Sequence, residues 1–285
     1  IGLGQPQDAG DQVIAKPPQH ALGQDALHRV DAHLQEAVTQ NGQQEGQAQK
    51  PQEDDLVEFH DRHYGPKGMV VCVVGGIEPD KAVEMVSDVL GDWDNPHQPD
   101  PPELPELTPL NEIVRGKVAL EAKSQSDIVI GVAGPPRNHP AYIPAAVGNN
   151  VLGQFGMMGR IGTSVREQAG LAYYAYSSLS GGVGPGPWSV IAGVNPANVD
   201  QTVELIRQEI RRFVTEEIEA EELSDTKANF IGRMPLALES NAGVAMALLN
   251  LERYELPLDY YINYADRINA VTPGQILEVA REFLH

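Results

Sequence analysis

The chain has 285 residues, with 40 acidic against 20 basic side chains, a formal net charge of −20 and 41% hydrophobic residues. This length suits roughly two domains, since domains average about 150 residues. The excess of negative charge argues against nucleic acid as a partner, because nucleic-acid binding rests on Lys and Arg neutralising phosphates, and it argues against an anionic membrane surface as well. The single cysteine, Cys72, excludes an intrachain disulfide and a cysteine-rich zinc site, and no apolar run is long enough to span a bilayer.

Residues 1–54 differ in composition from the rest of the chain. Twelve glutamines fall within residues 1–52, and the run from Gln40 to Gln52 is nearly free of apolar side chains. Such a segment buries too little apolar surface to offset its ordering entropy. We therefore expect residues 1–54 to be an atypical segment that is poorly ordered or divergent.

Regular structure is expected after this segment. A helix is predicted to end at His63, the run Met69–Val74 predicts a fully apolar strand, and Pro79 predicts the start of the next helix. Residues 55–93 are therefore interpreted as the end of a first domain. Residues 94–112, which are rich in proline and acidic side chains, are interpreted as a linker.

Residues 113–285 are predicted to form a second domain in which strands are mixed with long helices. Strands are predicted at Ile113–Glu121, Ile128–Ala133, Leu171–Leu179 and Trp188–Val194. Helices are predicted at His139–Leu152, Val199–Phe213, Glu219–Gly232, Leu236–Tyr254, Leu258–Ile268 and from Pro273 onward. Thr272 and Gln275 have the spacing of a capping box on the last helix. These elements predict an α+β fold, a two-layer arrangement in which helices pack against a mixed β-sheet.

The segment from Leu152 to Ser178 carries the most specific pattern. A glycine-rich turn leads into a short helix with Arg166, Gly170 can end that helix in a left-handed conformation, and a tyrosine-rich strand begins near Tyr173. The turn can bring both side chains to the same side of the chain. A guanidinium and a phenol are donors that suit the carbonyls and carboxylates of a bound peptide. An arginine near a helix end beside a packed tyrosine would explain the same residues without any function.

This layout resembles the second half of the insulinase/pitrilysin family of zinc metallopeptidases, the inverted zincins, and in particular the processing peptidases. The motif SVREQAGLAYYAYSS carries the resemblance, which runs from about Leu56 to His285. It implies that residues 55–93 end the first, zinc-type domain. It also implies that Arg166 and Tyr173 bind substrate, within a clamshell of two such domains around an extended peptide. The family's zinc motif, H-x-x-E-H, is absent, so no catalytic residue and no metal ligand is assigned to this chain, and zinc is expected only in the complete enzyme or a partner.

The glycines Gly153, Gly156 and Gly159 have two interpretations. One is a phosphate-binding loop, but their three-residue spacing fits neither G-x-G-x-x-G nor the Walker pattern. A nucleotide-binding α/β protein would need such a loop, so this function is disfavoured. The resemblance instead implies a glycine-rich loop beside the substrate chamber. His60 and His63 are candidates for a metal, but catalytic zinc needs a third ligand and a base, and we interpret them as structural.

Two functions follow from the resemblance. The first is the peptide-binding, carboxy-terminal part of a zinc-dependent endopeptidase, expected to be inactive alone and to hold its peptide as an added β-strand. Its expected partners are peptides or unfolded proteins and a zinc-bearing domain or subunit of the same family, not nucleic acid or a membrane. The alternative is a non-catalytic structural or partner subunit of the same fold. The visible sequence favours a soluble, cytoplasmic protein over a secreted one, although a leader could precede Ile1.

Overall fold

The computed structural model of the chain describes residues 52–107, 112–120, 123–154 and 159–284. The expectation for residues 1–54 therefore falls almost entirely outside the described residues. None of the described helices is both long and apolar enough to cross a membrane. In chain order the helices and strands are α1 (Glu53–His63), α2 (Pro79–Leu90), β1 (Ser126–Ala133), α3 (Tyr142–Gly153), α4 (Gly159–Gly162), a π-helical turn (Thr163–Gln168), β2 (Ala172–Leu179), β3 (Pro187–Val194), a 3-10 turn (Pro196–Asn198), α5 (Val199–Thr215), α6 (Ala220–Ala237), α7 (Asn241–Arg253), α8 (Tyr264–Asn269) and α9 (Pro273–Phe283).

The three strands form one antiparallel sheet in the order β1–β3–β2. Successive side chains point to opposite faces, as extended backbone requires. The inner face of central strand β3 is buried and carries Trp188, Val190, Ala192 and Val194. The outer face carries Asp127 and Val129 from β1, Ile191 and Gly193 from β3, and Tyr174 and Tyr176 from β2. Val129 is 68% exposed, so this second face is at least partly open to solvent.

Helices α3 and α5 pack against the inner face of the sheet, and α9 packs against both of these helices. Leu152 of α3, Phe213 of α5 and Ile276 of α9 are each at most 2% exposed and belong to one hydrophobic core with β3. Burying a side chain of this size contributes about 1.5–3 kcal/mol relative to leaving it exposed. The core therefore fixes α3 beneath the sheet, and α3 leads directly into the glycine-rich turn.

A buried polar network ties α3 to two strands. The indole nitrogen of Trp188 donates a hydrogen bond of 2.9 Å to Asn149 Oδ1, and the hydroxyl of Ser177 donates one of 3.1 Å to the Asn149 carbonyl oxygen. Buried polar groups are stable only when they are paired in this way. These hydrogen bonds thereby fix the position of α3 relative to β2 and β3.

The predicted α+β fold is confirmed. The predicted helices at Val199–Phe213 and Glu219–Gly232 and the predicted strands at Ile128–Ala133, Leu171–Leu179 and Trp188–Val194 are present within a few residues of their expected ends. The capping box is also present, because the Gln275 amide donates to Thr272 Oγ1 at 3.2 Å and the Thr272 amide to Gln275 Oε1 at 2.9 Å.

Two predicted helices are shorter than expected. The one predicted at Leu236–Tyr254 begins only at Asn241, where Ser240 accepts a hydrogen bond of 3.1 Å from the Gly243 amide and acts as the N-cap. Of the helix predicted at Leu258–Ile268, only Tyr264–Asn269 is helical. Capping and turn geometry thus start both helices later than hydrophobic spacing indicated.

Two predicted strands are wrong. Neither Met69–Val74 nor Ile113–Leu120, the described part of the second prediction, is a strand, and most of their valines are exposed, with Val70 at 51% and Val118 at 78%. A strand requires a neighbour that accepts and donates its backbone hydrogen bonds. No described residue forms strand-type backbone hydrogen bonds with either segment, so neither segment becomes a strand despite its apolar sequence.

Candidate functional site

Arg166 lies on the π-helical turn Thr163–Gln168, so the short helix predicted to carry it is present in a wider form. The neighbouring Val165 is completely buried, whereas Arg166 is half-buried. The turn ends at Gly170, which has a φ of +64°, and the amide of Gly170 donates to the Arg166 carbonyl oxygen at 3.2 Å. Single turns of π-helix are rare and occur frequently at functional sites.

Tyr173 occupies a β-bulge at the start of β2. Ala172 stands opposite Val194 and Tyr174 opposite Gly193, so Tyr173 has no partner on β3. Its side chain is 82% exposed, and its ring meets the ring of Tyr174 edge-on with centroids 6.4 Å apart. Bulges re-aim side chains and occur often beside active sites. The bulge thus presents the phenol of Tyr173 to solvent.

Arg166 and Tyr173 flank the chain reversal at Gly170. Within the part of the chain that the structure describes, neither the Arg166 guanidinium nor the Tyr173 hydroxyl has a hydrogen-bond or ion-pair partner. Both side chains therefore offer unengaged donors beside one turn. Their assignment as a substrate-binding pair stays a prediction.

A second polar group on the outer face of the sheet was not found from the sequence. The Tyr174 hydroxyl donates a hydrogen bond of 2.8 Å to Asp127 Oδ1, and Gln125 Nε2 donates another of 2.9 Å to the same oxygen. Tyr174 and Asp127 stand on opposite sides of Gly193, where a Cβ would lie 2.6 Å from the Tyr174 ring. The glycine therefore lets the ring cross β3, a relation that becomes visible only when the strand register is known.

Removal of the Tyr174 hydroxyl is expected to raise the pKa of Asp127. The hydrogen bond from Tyr174, followed by that from Gln125, lowers the pKa of Asp127 below its usual value because both donors stabilise the charged carboxylate. A carbon-detected NMR titration of the carboxyl groups would compare Tyr174→Phe with Tyr176→Phe, which alters the same face without touching Asp127. An unchanged pKa of Asp127 in Tyr174→Phe would contradict the assignment of this hydrogen bond.

Two of the predicted loop glycines have a packing role. A Cβ on Gly153 would lie 2.2 Å from the Ser177 backbone nitrogen, and Gly159 has a φ of +62° with Val151 O only 2.5 Å from its Cβ position. Gly153 therefore lets the end of α3 approach β2, and Gly159 lets the returning chain pass close to the end of α3. Gly156 lies outside the described residues. That the three glycines also line a substrate site stays a prediction.

An ion pair anchors the segment that follows Gly159. Arg160 Nε donates to Glu222 Oε1 at 2.8 Å and Nη2 donates to Oε2, with the Arg160 side chain only 9% exposed. Glu222 Oε2 also accepts a hydrogen bond of 3.0 Å from the Glu219 amide, which caps α6. The Arg160 guanidinium holds the pKa of Glu222 below its usual value. Sequence reasoning missed this pair because its members lie 62 residues apart.

Replacement of Glu222 with glutamine is expected to lower the free energy of unfolding by about 2 kcal/mol at neutral pH. This loss is smaller than for a fully buried pair, because the glutamate side chain is 32% exposed. The depressed pKa of Glu222 means that its contribution is fully present above the ordinary glutamate pKa. The contribution is lost as pH falls through the folded-state value. Urea unfolding at pH 7 and at acid pH would measure the difference between Glu222→Gln and the parent chain.

The matched control is Glu216→Gln, which removes an exposed pair with Arg212 and should change the free energy of unfolding little. A difference between Glu222→Gln and the parent chain that persists undiminished at acid pH would show that the charge of Glu222 is not its source.

The candidate metal ligands do not form a zinc site. His60 Nδ1 lies 3.3 Å from Asp61 Oδ1 and its ring stacks on Tyr64 with centroids 4.9 Å apart, while His63 is three residues further on α1. Across the described ranges there is no group of three or more His, Cys, Asp or Glu side chains that could hold a metal ion. The donors present in this part of the chain therefore do not fit a catalytic zinc, which needs three protein ligands.

Residues 52–230 match the family model described as the peptidase M16 inactive domain. The chain belongs to the peptidase M16 family. This is the insulinase/pitrilysin family, so the resemblance carried by the Leu152–Ser178 segment is confirmed. The α+β fold described above is that of the M16 inactive domains.

Curated M16 relatives are bacterial proteins named as zinc proteases. The chain is 29% identical over 240 residues to an uncharacterized zinc protease of Streptomyces coelicolor, an alignment that covers 81% of this chain and 51% of the relative. It is 27% identical over 234 residues to one from Mycobacterium leprae, covering 81% and 52% of the two chains. The chain thus spans about half the length of the curated relatives that it matches.

Solved structures show the same fold at low sequence identity. A peptidase M16 inactive domain from Pseudomonas fluorescens aligns with a TM-score of 0.70 at 20% identity, covering 92% of this chain and 68% of that chain. A protease from Helicobacter pylori aligns with a TM-score of 0.67 at 21% identity, covering 83% and 57%. A chain of complex III2 from Candida albicans aligns with a TM-score of 0.55 at 19% identity, covering 73% and 50%.

Proposed function

We propose that this chain is the peptide-binding, non-catalytic part of an M16 zinc endopeptidase. The observation that carries the proposal is the pair formed by Arg166 on its π-helical turn and Tyr173 in its β-bulge, both without a described partner. A guanidinium and a phenol are donors that suit peptide carbonyls and carboxylates. The edge of β2 beside Tyr173 offers backbone groups for an added strand. Peptide-bond hydrolysis is then the task of a zinc-bearing domain elsewhere.

The exposed apolar side chains of residues 53–107 and 112–120 support a partner of the same family. Helices α1 and α2 have no buried residue, and the hydrophobic core begins only at Ile128. Val83 and Val89 on α2 are 66% and 74% exposed, and the unpaired apolar segments Met69–Val74 and Ile113–Leu120 lie in the same part of the chain. Large exposed apolar side chains in such number are typical of a surface that another protein covers. We propose that a zinc-bearing M16 domain covers it.

The alternative is a non-catalytic structural or partner subunit. The likeness to a chain of complex III2 from Candida albicans favours it, because that protein has this fold within a multi-subunit assembly. Both functions require a partner, and they differ in whether the assembly cuts peptides.

The two functions can be separated by mixing this chain with the part of the Streptomyces coelicolor relative that it does not match. Size-exclusion chromatography would report a complex, and a quenched fluorescent peptide would report cleavage with and without a chelator. Cleavage that needs both components and is lost in Arg166→Ala supports the endopeptidase. A complex without cleavage favours the structural subunit, and cleavage by the partner alone at full rate contradicts the proposed role.

A further inference from the structure

A guanidinium and a group of tyrosines lie at the end of the sheet away from Tyr173. Arg137 lies four residues after Ala133, the last residue of β1, and its backbone amide donates a hydrogen bond of 2.9 Å to the Gly182 carbonyl oxygen in the loop between β2 and β3. The guanidinium carbon lies 4.5 Å from the centroid of the Tyr142 ring. Stacking of this kind fixes the plane of an arginine and leaves its N–H edge available.

Arg137 has no carboxylate partner among the described residues, although acidic side chains outnumber basic ones by 40 to 20 in the whole chain. Arg137 is only partly buried, so part of its side chain reaches solvent. Arg267 in the same cluster differs, because it lies 5.3 Å from the Tyr260 ring centroid and is paired with Asp259 at 3.4 Å. One positive charge in the cluster is therefore left without a counter-ion.

The surrounding phenols add neutral donors. Tyr142 and Tyr260 are 8% and 5% exposed. Burial raises the pKa of Tyr260 and raises the pKa of Tyr264 to about 12, so both hydroxyls keep their protons at neutral pH. Burial opposes the charge of Arg137, but the pKa of Arg137 still lies above its usual value, so the guanidinium stays charged at neutral pH. The cluster thus combines N–H and O–H donors with one permanent positive charge.

We propose that Arg137, Tyr142 and Tyr260 bind the carboxylate of a peptide. The planar guanidinium fork matches a carboxylate in two parallel hydrogen bonds. A single positive charge balances a carboxylate, whereas a phosphate dianion would be left with excess charge in a chain of net charge −20. Leu258 and Ile262, in the same segment as Tyr260, are 87% and 83% exposed and offer apolar surface to the residue that bears the carboxylate.

The test is a titration of the chain, labelled with ¹³C in its nine tyrosine rings, with N-acetyl-leucine and with N-acetyl-leucinamide. The Tyr142 signal, assigned by its loss in Tyr142→Phe, is expected to shift saturably with the acid and not with the amide. Arg137→Gln should abolish the shift, and Arg137→Lys should weaken affinity about tenfold because a point charge lacks the fork. The half-buried Arg207, which also lacks a described partner, supplies the control Arg207→Gln, expected to bind as the parent does.

The source of the carboxylate is read from a third ligand, N-acetyl-glutamic acid α-amide. Tighter binding of this ligand assigns the site to an acidic side chain, and tighter binding of N-acetyl-leucine assigns it to a peptide C-terminus. Three results would each overturn the proposal. They are equal shifts with N-acetyl-leucinamide, binding that survives Arg137→Gln, and tighter binding of inorganic phosphate. Circular dichroism would check that Arg137→Gln is folded, and Arg137→Lys preserves the test if it is not.

Discussion

Replacement of Arg166 with alanine is expected to weaken the affinity of this chain for an extended peptide by about tenfold to a hundredfold, the loss of one or two hydrogen bonds from a charged donor. The free energy of unfolding should hardly change, because the Arg166 guanidinium makes no described hydrogen bond or ion pair within the chain. Fluorescence anisotropy of a labelled peptide would measure the affinity, and urea unfolding would measure the stability of the same samples.

The matched control for this substitution is Arg233→Ala, which removes an exposed arginine from α6 and should leave the affinity for peptide unchanged. Tyr173→Phe removes one hydroxyl from a side chain that is 82% exposed, and it should weaken peptide affinity without altering stability. If Arg166→Ala binds peptide as tightly as Arg233→Ala, then Arg166 is not part of a peptide site.

The largest expected effect on stability comes from Gly153→Ala. The new Cβ would lie 2.2 Å from the Ser177 backbone nitrogen and 2.5 Å from its hydroxyl oxygen. Ser177 cannot move freely, because its hydroxyl donates a hydrogen bond to the Asn149 carbonyl oxygen and the Asn149 side chain accepts one from Trp188. We expect the free energy of unfolding to fall by about 3 kcal/mol, the upper part of the usual range for overpacking a core.

Gly232→Ala is the control for this overpacking. Gly232 lies inside α6, is exposed, and has no atom within 4 Å of its Cβ position. Alanine there should stabilise the chain by about 0.5–1 kcal/mol through helix propensity. Urea unfolding would measure the free energy of unfolding of both variants. A Gly153→Ala chain as stable as the parent would contradict the close packing of α3 against β2.

The parts of the fold that local sequence determines could be predicted. The capping box at Thr272 and Gln275 needs only three residues of spacing, and the apolar face from Val199 to Phe213 needs only helical periodicity. The segment Met69–Val74 shows the limit of this reasoning. Its sequence indicates a buried strand, but a strand depends on a neighbour that its own residues do not specify.

The same limit applies to the candidate site. Arg166, Gly170 and Tyr173 fall within one short motif, so their turn and strand could be predicted from the sequence. The pair Tyr174–Asp127 spans 47 residues and the pair Arg160–Glu222 spans 62, so both depend on tertiary structure. The π-helical turn and the bulge at Tyr173 were not predicted, because backbone irregularities of this kind leave no periodic signal.

We propose that this chain holds peptides but does not cut them. The most direct test is to titrate a labelled, extended peptide with the chain alone, to follow anisotropy, and to examine the peptide afterwards by mass spectrometry with and without a chelator. We expect saturable binding that weakens in Arg166→Ala, with the peptide intact under both conditions. Cleavage that the chelator abolishes would contradict this proposal, because the chain would then carry a metal site of its own, and so would the absence of binding.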